Sequence, residues 1–290
     1  MNGDGSRKRA ESAWGTLVQR WRDDLRHRLA KTRDANWFVR AQDLLQERLS
    51  SALKPLVFNL LLCSSAMAEE LDSKFSVPSA GEVSSTLLLP TDAQWLLVLG
   101  HGAGAGMRHP FMTALSRELA AEKIATFRYQ FPYMENRRRA PDRPPTLTAT
   151  VAAATRAGHT AVPELPLLAG GKSMGGRMTS TAASENLIPE VRGLVFFGFP
   201  LHPPKQPATK RGDHLAKVEQ PMLFLQGTRD DLADLKLLKP ICKTLGDLAT
   251  LQIIEGADHS FHVLKSSGKS DAEILRGLAH TTAEWAASLE

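Results

Sequence analysis

The sequence predicts an α/β fold with a mostly parallel central sheet flanked by helices. From residue 84 onward, short apolar runs alternate with amphipathic helical patterns. This alternation is typical of βαβ units, in which helices cover both faces of a parallel sheet. The chain has 290 residues, of which 42% are hydrophobic and 23% charged, so it is long enough to bury the core of a large α/β domain.

Each predicted strand is an apolar run bounded by turn-forming or polar residues. The strands are expected at residues 85–89, which open the sheet, and then at 94–99, 124–129, 165–170, 191–197, 222–226 and 250–254. Helical spacing of apolar residues predicts helices at 110–122, 146–157, 177–183 and 271–289. In the first of these, Phe111, Leu115 and Leu119 share one face. No internal repeat interrupts the pattern.

The junction between strand 165–170 and helix 177–183 carries the strongest functional signal. Gly171-Lys172-Ser173-Met174-Gly175 fits the pattern G-x-S-x-G, in which a serine sits on a sharp turn from a strand to a helix. Glycines two positions to either side let the two backbones approach closely. Ser173 is therefore the predicted nucleophile. The alternative is a small-residue turn where a helix and a strand pack tightly.

Serine chemistry needs a base beside the nucleophile and a carboxylate that orients the base. The loop after strand 222–226 contains Asp230 and Asp231, and we predict that Asp230 is the acid while Asp231 caps a following helix. The loop after strand 250–254 contains His259 and His262. His259 is the predicted base, because both loops leave the carboxyl ends of strands, and His262 is the alternative.

The oxyanion formed during acyl transfer needs backbone N–H donors. One is expected from Met174, the residue after the serine, and the other from the glycine-rich loop after strand 94–99. In that loop Ala103 is the first choice and Gly102 the second. A dinucleotide site is disfavoured, because the loop lacks the G-x-G-x-x-G register and the next strand ends without an acidic residue.

Several of these segments together resemble one branch of the α/β-hydrolase superfamily, the small dienelactone-hydrolase-like enzymes, which includes the hydrolase-like domain of the animal NSL chromatin-complex subunit 3. The resemblance rests on His101-Gly102-Ala103-Gly104-Ala105-Gly106 and on residues 109–112, 131–135, 170–176, 198–204 and 227–230. It covers about residues 67–290. It implies an α/β-hydrolase fold without a large cap domain and a triad of Ser173, Asp230 and His259. Dienelactone hydrolases themselves use a cysteine nucleophile, so this chain departs from them.

Residues 1–66 differ from the rest of the chain in charge and pattern. They contain 12 Lys and Arg against 7 Asp and Glu, whereas residues 67–290 contain 24 of each. Helical patterns at 14–29 and 37–49 predict a basic helical extension before a hydrolase domain of residues 67–290. The apolar run at 56–63 is too short for a transmembrane helix and lies too far into the chain for a signal peptide. Met67 is an alternative start.

Composition limits the partners that we expect. The neutral charge of residues 67–290 gives no indication of nucleic acid or membrane binding. Cys63 and Cys242 are too few for a disulfide framework, which favours a reducing, cytoplasmic compartment. The arginine-rich stretch 128–143, with Phe131 and Tyr133, is interpreted as either a mobile lid that attracts carboxylates or a solvated basic loop. Residues 201–205 are expected to line a wall of the site.

Three functions therefore remain open at the level of sequence. The first is a serine hydrolase that cleaves a small carboxylic ester, thioester or amide without a metal or organic cofactor. The second is a catalytically silent scaffold that binds a protein partner. The third is an acyltransferase that uses the same triad. An intact set of Ser173, Asp230 and His259 favours the enzymes over the scaffold.

Overall fold

Eight strands form one sheet in the computed structural model of the chain, which describes residues 70–78 and 80–289. The strands are β1 (Glu70–Val77), β2 (Gly81–Leu88), β3 (Trp95–Gly100), β4 (Ile124–Tyr129), β5 (Leu167–Lys172), β6 (Gly193–Phe197), β7 (Met222–Gly227) and β8 (Ala249–Ile254). Their spatial order is β1-β2-β4-β3-β5-β6-β7-β8. The β1–β2 and β2–β4 pairs are antiparallel, and every other pair is parallel.

Helices cover both faces of the sheet. They are α1 (Pro110–Ala121), α2 (Pro132–Glu135), α3 (Pro144–Ala161), α4 (Met174–Ser184), α5 (Leu235–Leu245) and α6 (Asp271–Ala287), with three-ten turns at Lys210–Lys217, Gly246–Leu248 and Lys265–Ser267. Helices α3, α4 and α5 pack on one face, and α1 and α6 pack on the other. The predicted parallel sheet between two helical layers is therefore confirmed.

Alternate residues of the central strands supply the two cores. In β6, Leu194 and Phe196 belong to the core beneath α3, α4 and α5, whereas Val195 and Phe197 belong to the core beneath α1 and α6. Strand β7 alternates in the same way. A strand buried on both faces gives a continuous apolar run, which is why these strands were predictable from sequence.

The strand order reverses between β3 and β5. Beyond β3 the sheet continues through β4 to the antiparallel edge, and beyond β5 it continues through β6 to β8. Such a reversal leaves a crevice at the carboxyl ends of the two strands, where α/β sheets bind their ligands. The glycine-rich loop follows β3 and the predicted nucleophile follows β5, so both predicted features lie at this crevice.

Two predictions about elements were wrong. Strand 85–89 does not open the sheet, because β1 precedes it as an exposed edge strand whose residues lack an apolar alternation. The helix expected after Asp231 is α5, for which the sequence analysis gives no bounds, and Pro240 lies inside it at an exposed position. Asp231 does not cap this helix. The cap is Asp234, whose carboxylate accepts the Lys236 N–H at 2.8 Å.

The arginine-rich stretch 128–143 is not a lid over its whole length. Arg128 lies in β4, fully buried, and forms an ion pair with Glu70 of β1. Phe131 and Tyr133 are also fully buried. Only the later part, which includes Arg137 to Arg139, is exposed, so this part matches the interpretation of a solvated basic loop.

In the described part of the chain, no insertion between strands forms a separate cap domain. Among the same residues, no helix has both the length and the apolar character needed to cross a membrane. The predictions for residues 1–66 lie outside the described residues.

Candidate active site

Ser173 occupies the turn between β5 and α4 in a conformation that few non-glycine residues adopt. Its φ and ψ are 52° and −115°, and its N–H donates to the Phe197 carbonyl at 3.2 Å. A Cβ on Gly171 would lie 2.5 Å from the Gly100 carbonyl oxygen, and one on Gly175 would lie 2.3 Å from the same atom. The two flanking positions therefore require glycine, as predicted. Close packing around Ser173 maintains its strained backbone conformation.

Asp230 follows β7 and is held by three hydrogen bonds. Its Oδ1 accepts the Leu232 N–H at 2.8 Å, and its Oδ2 accepts the Gln226 side-chain amide at 2.6 Å. The same Oδ2 lies 2.7 Å from His259 Nδ1. Only 1% of the Asp230 side chain is exposed. Such fixation leaves the carboxylate one orientation, toward His259.

Gln226 is a site residue that the sequence analysis does not identify. It is fully buried in β7, and its carbonyl oxygen accepts the Phe199 N–H at 2.9 Å while its amide donates to Asp230. It therefore ties the loop after β6 to the acid. A polar residue at the end of the apolar run 222–225 is the signal that was available.

His259 joins Asp230 to Ser173. Its Nε2 lies 2.9 Å from Ser173 Oγ, on the opposite side of the ring from the Asp230 contact. Since the Asp230 carboxylate only accepts, Nδ1 carries the proton and Nε2 is free to accept the serine proton. The loop is shaped by Asp258, whose Oδ1 accepts the N–H groups of Ser260 and His262 at 2.8 and 3.0 Å.

The alternative base, His262, points away from Ser173. Its side chain is 56% exposed, and its Nδ1 lies 2.9 Å from Asp271 Oδ2 at the start of α6. The hydrogen bond and negative charge of Asp271 raise the pKa of His262. The structure thus brings together Ser173, Asp230 and His259, and leaves His262 in a surface ion pair.

The candidate oxyanion donors lie beside Ser173. A Cβ on Gly102 would stand 3.7 Å from the Ser173 Cβ, so the loop after β3 runs directly past the serine. In the described residues, the backbone N–H groups of Met174, Gly102 and Ala103 donate to no protein acceptor. Met174 is also the first residue of α4, where N–H groups are free and the helix dipole favours negative charge.

A buried histidine shapes this loop. His101 Nδ1 lies 2.7 Å from the Gly102 carbonyl oxygen, and its Nε2 lies 3.2 Å from the Phe131 N. Burial lowers the pKa of His101 to about 4, so the ring is neutral near pH 7, with Nδ1 donating and Nε2 accepting. Tyr133 adds a second support, since its hydroxyl oxygen accepts the Gly104 N–H at 3.0 Å.

Ser173 is half-buried. A cavity of about 560 Å³ lies beside the glycine-rich loop, lined by residues 105–110 among others, and none of the three hydrogen-bonded side chains lines it. Residues 201–202 are buried, and His202 bridges two loops by accepting the Asp234 N–H at 2.9 Å. Within residues 70–78 and 80–289, no group of three or more His, Cys, Asp or Glu side chains is arranged to hold a metal ion.

A candidate nucleophile on the turn after β5, a candidate acid after β7 and a histidine after β8 on such a sheet match the arrangement expected of an α/β hydrolase. Residues 93–287 match the family model described as an alpha/beta hydrolase domain. The chain belongs to this family, and it is a hydrolase.

Solved structures share the fold at low sequence identity. A dienelactone hydrolase from Anabaena variabilis is 21% identical, with a TM-score of 0.59 over 76% of this chain and 97% of that one. A lidless α/β serine hydrolase from Xanthomonas campestris is 19% identical, with a TM-score of 0.59 over 75% and 95%. An α/β serine hydrolase homologue from Coxiella burnetii is 18% identical, with a TM-score of 0.58 over 72% and 95%.

Proposed function

We propose that the protein is a serine hydrolase that cleaves small carboxylic esters through an acyl-enzyme intermediate. The observation that carries the proposal is the continuous chain of contacts from Asp230 through His259 to Ser173, at 2.7 and 2.9 Å. Two of the structural relatives are named as serine hydrolases or their homologues, which agrees with a serine nucleophile.

In the first half of the reaction, Ser173 Oγ attacks the carbonyl carbon of the ester and its proton passes to His259 Nε2. The N–H groups of Met174 and of Ala103, or of Gly102 in its place, donate to the resulting oxyanion. The imidazolium, stabilised by Asp230, then gives its proton to the leaving alkoxide. An alcohol departs and the acyl group stays on Ser173.

In the second half, His259 takes a proton from water while the water oxygen attacks the acyl carbon. Collapse of the second oxyanion breaks the bond to Ser173, and the imidazolium returns its proton to the serine oxygen. The product is a carboxylic acid. None of these steps requires a metal or an organic cofactor.

In the described part of the chain no cap domain could enclose a long acyl chain, which favours a small acyl substrate. We also propose that the chain falls in the branch that includes NSL chromatin-complex subunit 3, because the motifs at residues 101–106 and 198–204 resemble that branch. We further propose that the protein works in the cytoplasm, where the free thiol of buried Cys242 stays reduced.

The proposal is tested by active-site labelling with a fluorophosphonate probe. We expect rapid labelling of the full chain, none in Ser173→Ala, and hydrolysis of p-nitrophenyl acetate that is lost in the same variant. Ser180→Ala, on the same helix, is the control and is expected to label normally. Absence of Ser173-dependent labelling in the folded protein would overturn the proposal and favour a silent scaffold.

A further inference from the structure

Lys172, the residue before the candidate nucleophile, ends in a buried ammonium group. The residue as a whole is partly exposed, yet Nζ is sealed from solvent and has no hydrogen-bond partner among the described residues. Its stem faces the crevice, since a Cβ on Gly102 would stand 3.8 Å from the Lys172 Cγ. An unpaired buried ammonium is costly, and an apolar side chain of similar length would avoid this cost.

Two aromatic rings and a glycine surround this group. Nζ lies 5.9 Å from the centre of the Phe111 ring and 5.5 Å from that of Phe261. These rings stack on each other, with centres 5.9 Å apart and an interplanar angle of 15°. Their faces attract a cation but do not neutralise its charge. The positive charge of Lys172 therefore acts on the ionisable groups that lie near Nζ.

The groups nearby are the candidate acid and base. Lys172 Nζ, Asp230 Oδ2 and His259 Cε1 lie 3.1, 3.4 and 3.5 Å from the point where a Cβ of Gly198 would stand. Gly198 has a φ of 71°, and its lack of a side chain leaves room for the three groups to converge. The sequence analysis gives Lys172 no role, because this convergence depends on three separate loops.

Besides Asp230, few charged side chains in the described residues act on the Lys172 ammonium group. Asp258 lies in the same loop as His259, and Arg229 donates to the Gly256 carbonyl at 3.0 Å on the outer side of that loop. Helix α1 contributes Phe111 here, and the loop after β6 contributes the Gly198 backbone. Burial lowers the pKa of Lys172 to about 8, while the negative charges of Asp230 and Asp258 oppose this shift.

We propose that Lys172 is a positioning residue of this site, whose charge opposes protonation of His259 and holds Asp230 as a carboxylate. The first effect keeps the imidazole neutral. The second keeps its proton on Nδ1, through the hydrogen bond to Asp230, so that Nε2 is available to accept the proton of Ser173. The inference rests on the proposed function, in which His259 is the base. It extends that function by naming the group whose charge sets the lower pH limit of activity.

The test compares neutral and charged replacements in the full chain. Lys172→Met and Lys172→Gln remove the charge, Lys172→Arg keeps it, and Lys239→Met removes an exposed charge on α5 as the control. We measure kcat/KM for p-nitrophenyl acetate and the rate of fluorophosphonate labelling between pH 4.5 and 8. In both neutral variants, we expect the acid limb of each profile to move upward by about one pH unit. Lys172→Arg and Lys239→Met should keep the wild-type limb.

A second measurement does not depend on activity. The imidazole of His259 is titrated by NMR, with its signal assigned by its loss in His259→Gln. The same upward shift in the midpoint of protonation is expected in Lys172→Met and Lys172→Gln. Their melting temperatures should equal or exceed that of the wild type, because the lost charge was unpaired. If both neutral variants keep the wild-type midpoint, the inference is wrong, even where Ser173-dependent labelling upholds the hydrolase.

Discussion

His101 donates a hydrogen bond from Nδ1 to the carbonyl oxygen of Gly102, at 2.7 Å, and so fixes the peptide that ends in the Ala103 N–H. The C=O and N–H of a trans peptide point in opposite directions. Holding the carbonyl against the His101 ring therefore directs the Ala103 N–H away from that ring. The neighbouring Phe131 N–H, accepted by Nε2, keeps the ring itself from turning.

The first prediction follows for the oxyanion loop. His101→Ala should lower kcat roughly ten- to a hundredfold with a smaller change in KM, because a misaligned N–H donor acts mainly on the transition state. His202→Ala is the matched control. His202 is also buried and also bridges two loops, but its ring hydrogen bonds go to the Pro203 carbonyl and the Asp234 N–H rather than to the glycine-rich loop. Both variants should lower the melting temperature, and an equal loss of kcat in both would contradict the prediction.

The second prediction concerns the acid. Asp230→Asn should lower kcat/KM by about three to four orders of magnitude, because an amide at this position favours the wrong imidazole tautomer. Asp231→Asn should leave the rate within a few-fold, since Asp231 is exposed and Asp230 alone contacts His259. Steady-state kinetics on p-nitrophenyl acetate measures both. If the two variants exchange these effects, Asp230 is not the acid.

The sequence predicted the parallel part of the sheet because strands buried on both faces are apolar throughout, as in Leu223, Phe224 and Leu225 of β7. Edge strand β1 gave no such signal, because most of its side chains are exposed. The three residues of the hydrogen-bonded chain were identifiable, because each follows a recognisable strand. Gln226 and Lys172 were not, since what they contact is decided by how distant loops meet.

The third prediction concerns domain organisation. A chain beginning at Met67 should fold and hydrolyse ester at a rate close to that of the full chain. The reason is that residues 70–289 supply the sheet, both cores and every candidate site residue. Circular dichroism, melting temperature and kcat/KM of the two chains provide the comparison. An insoluble or inactive product would mean that residues 1–66 are required by the hydrolase domain.

The fourth prediction separates the two histidines of the loop after β8. His259→Ala should abolish nearly all activity, whereas His262→Ala should keep the rate within about tenfold, because His262 pairs with Asp271 at the surface. The wild-type profile of kcat/KM should fall on the acid side, since a protonated imidazole cannot accept the serine proton. An active His259→Ala together with an inactive His262→Ala would move the base to His262.

The fifth prediction concerns stability in acid. Burial, together with the charge of Arg177, lowers the pKa of His214 to about 4, against an ordinary value of 6.5. The unfolded chain therefore binds a proton between these values that the folded chain does not bind. The stability due to neutral His214 is fully present above pH 6.5 and is lost as the pH falls toward 4.

His214→Gln removes the titration while keeping a polar group near Ser180, which lies 2.8 Å from His214 Nε2. Thermal melts of the variant should show a smaller drop in melting temperature between pH 6.5 and 4.5 than the wild type. His159→Gln, at an exposed position of α3, should show the full drop, and a full drop in His214→Gln would show that His214 does not contribute.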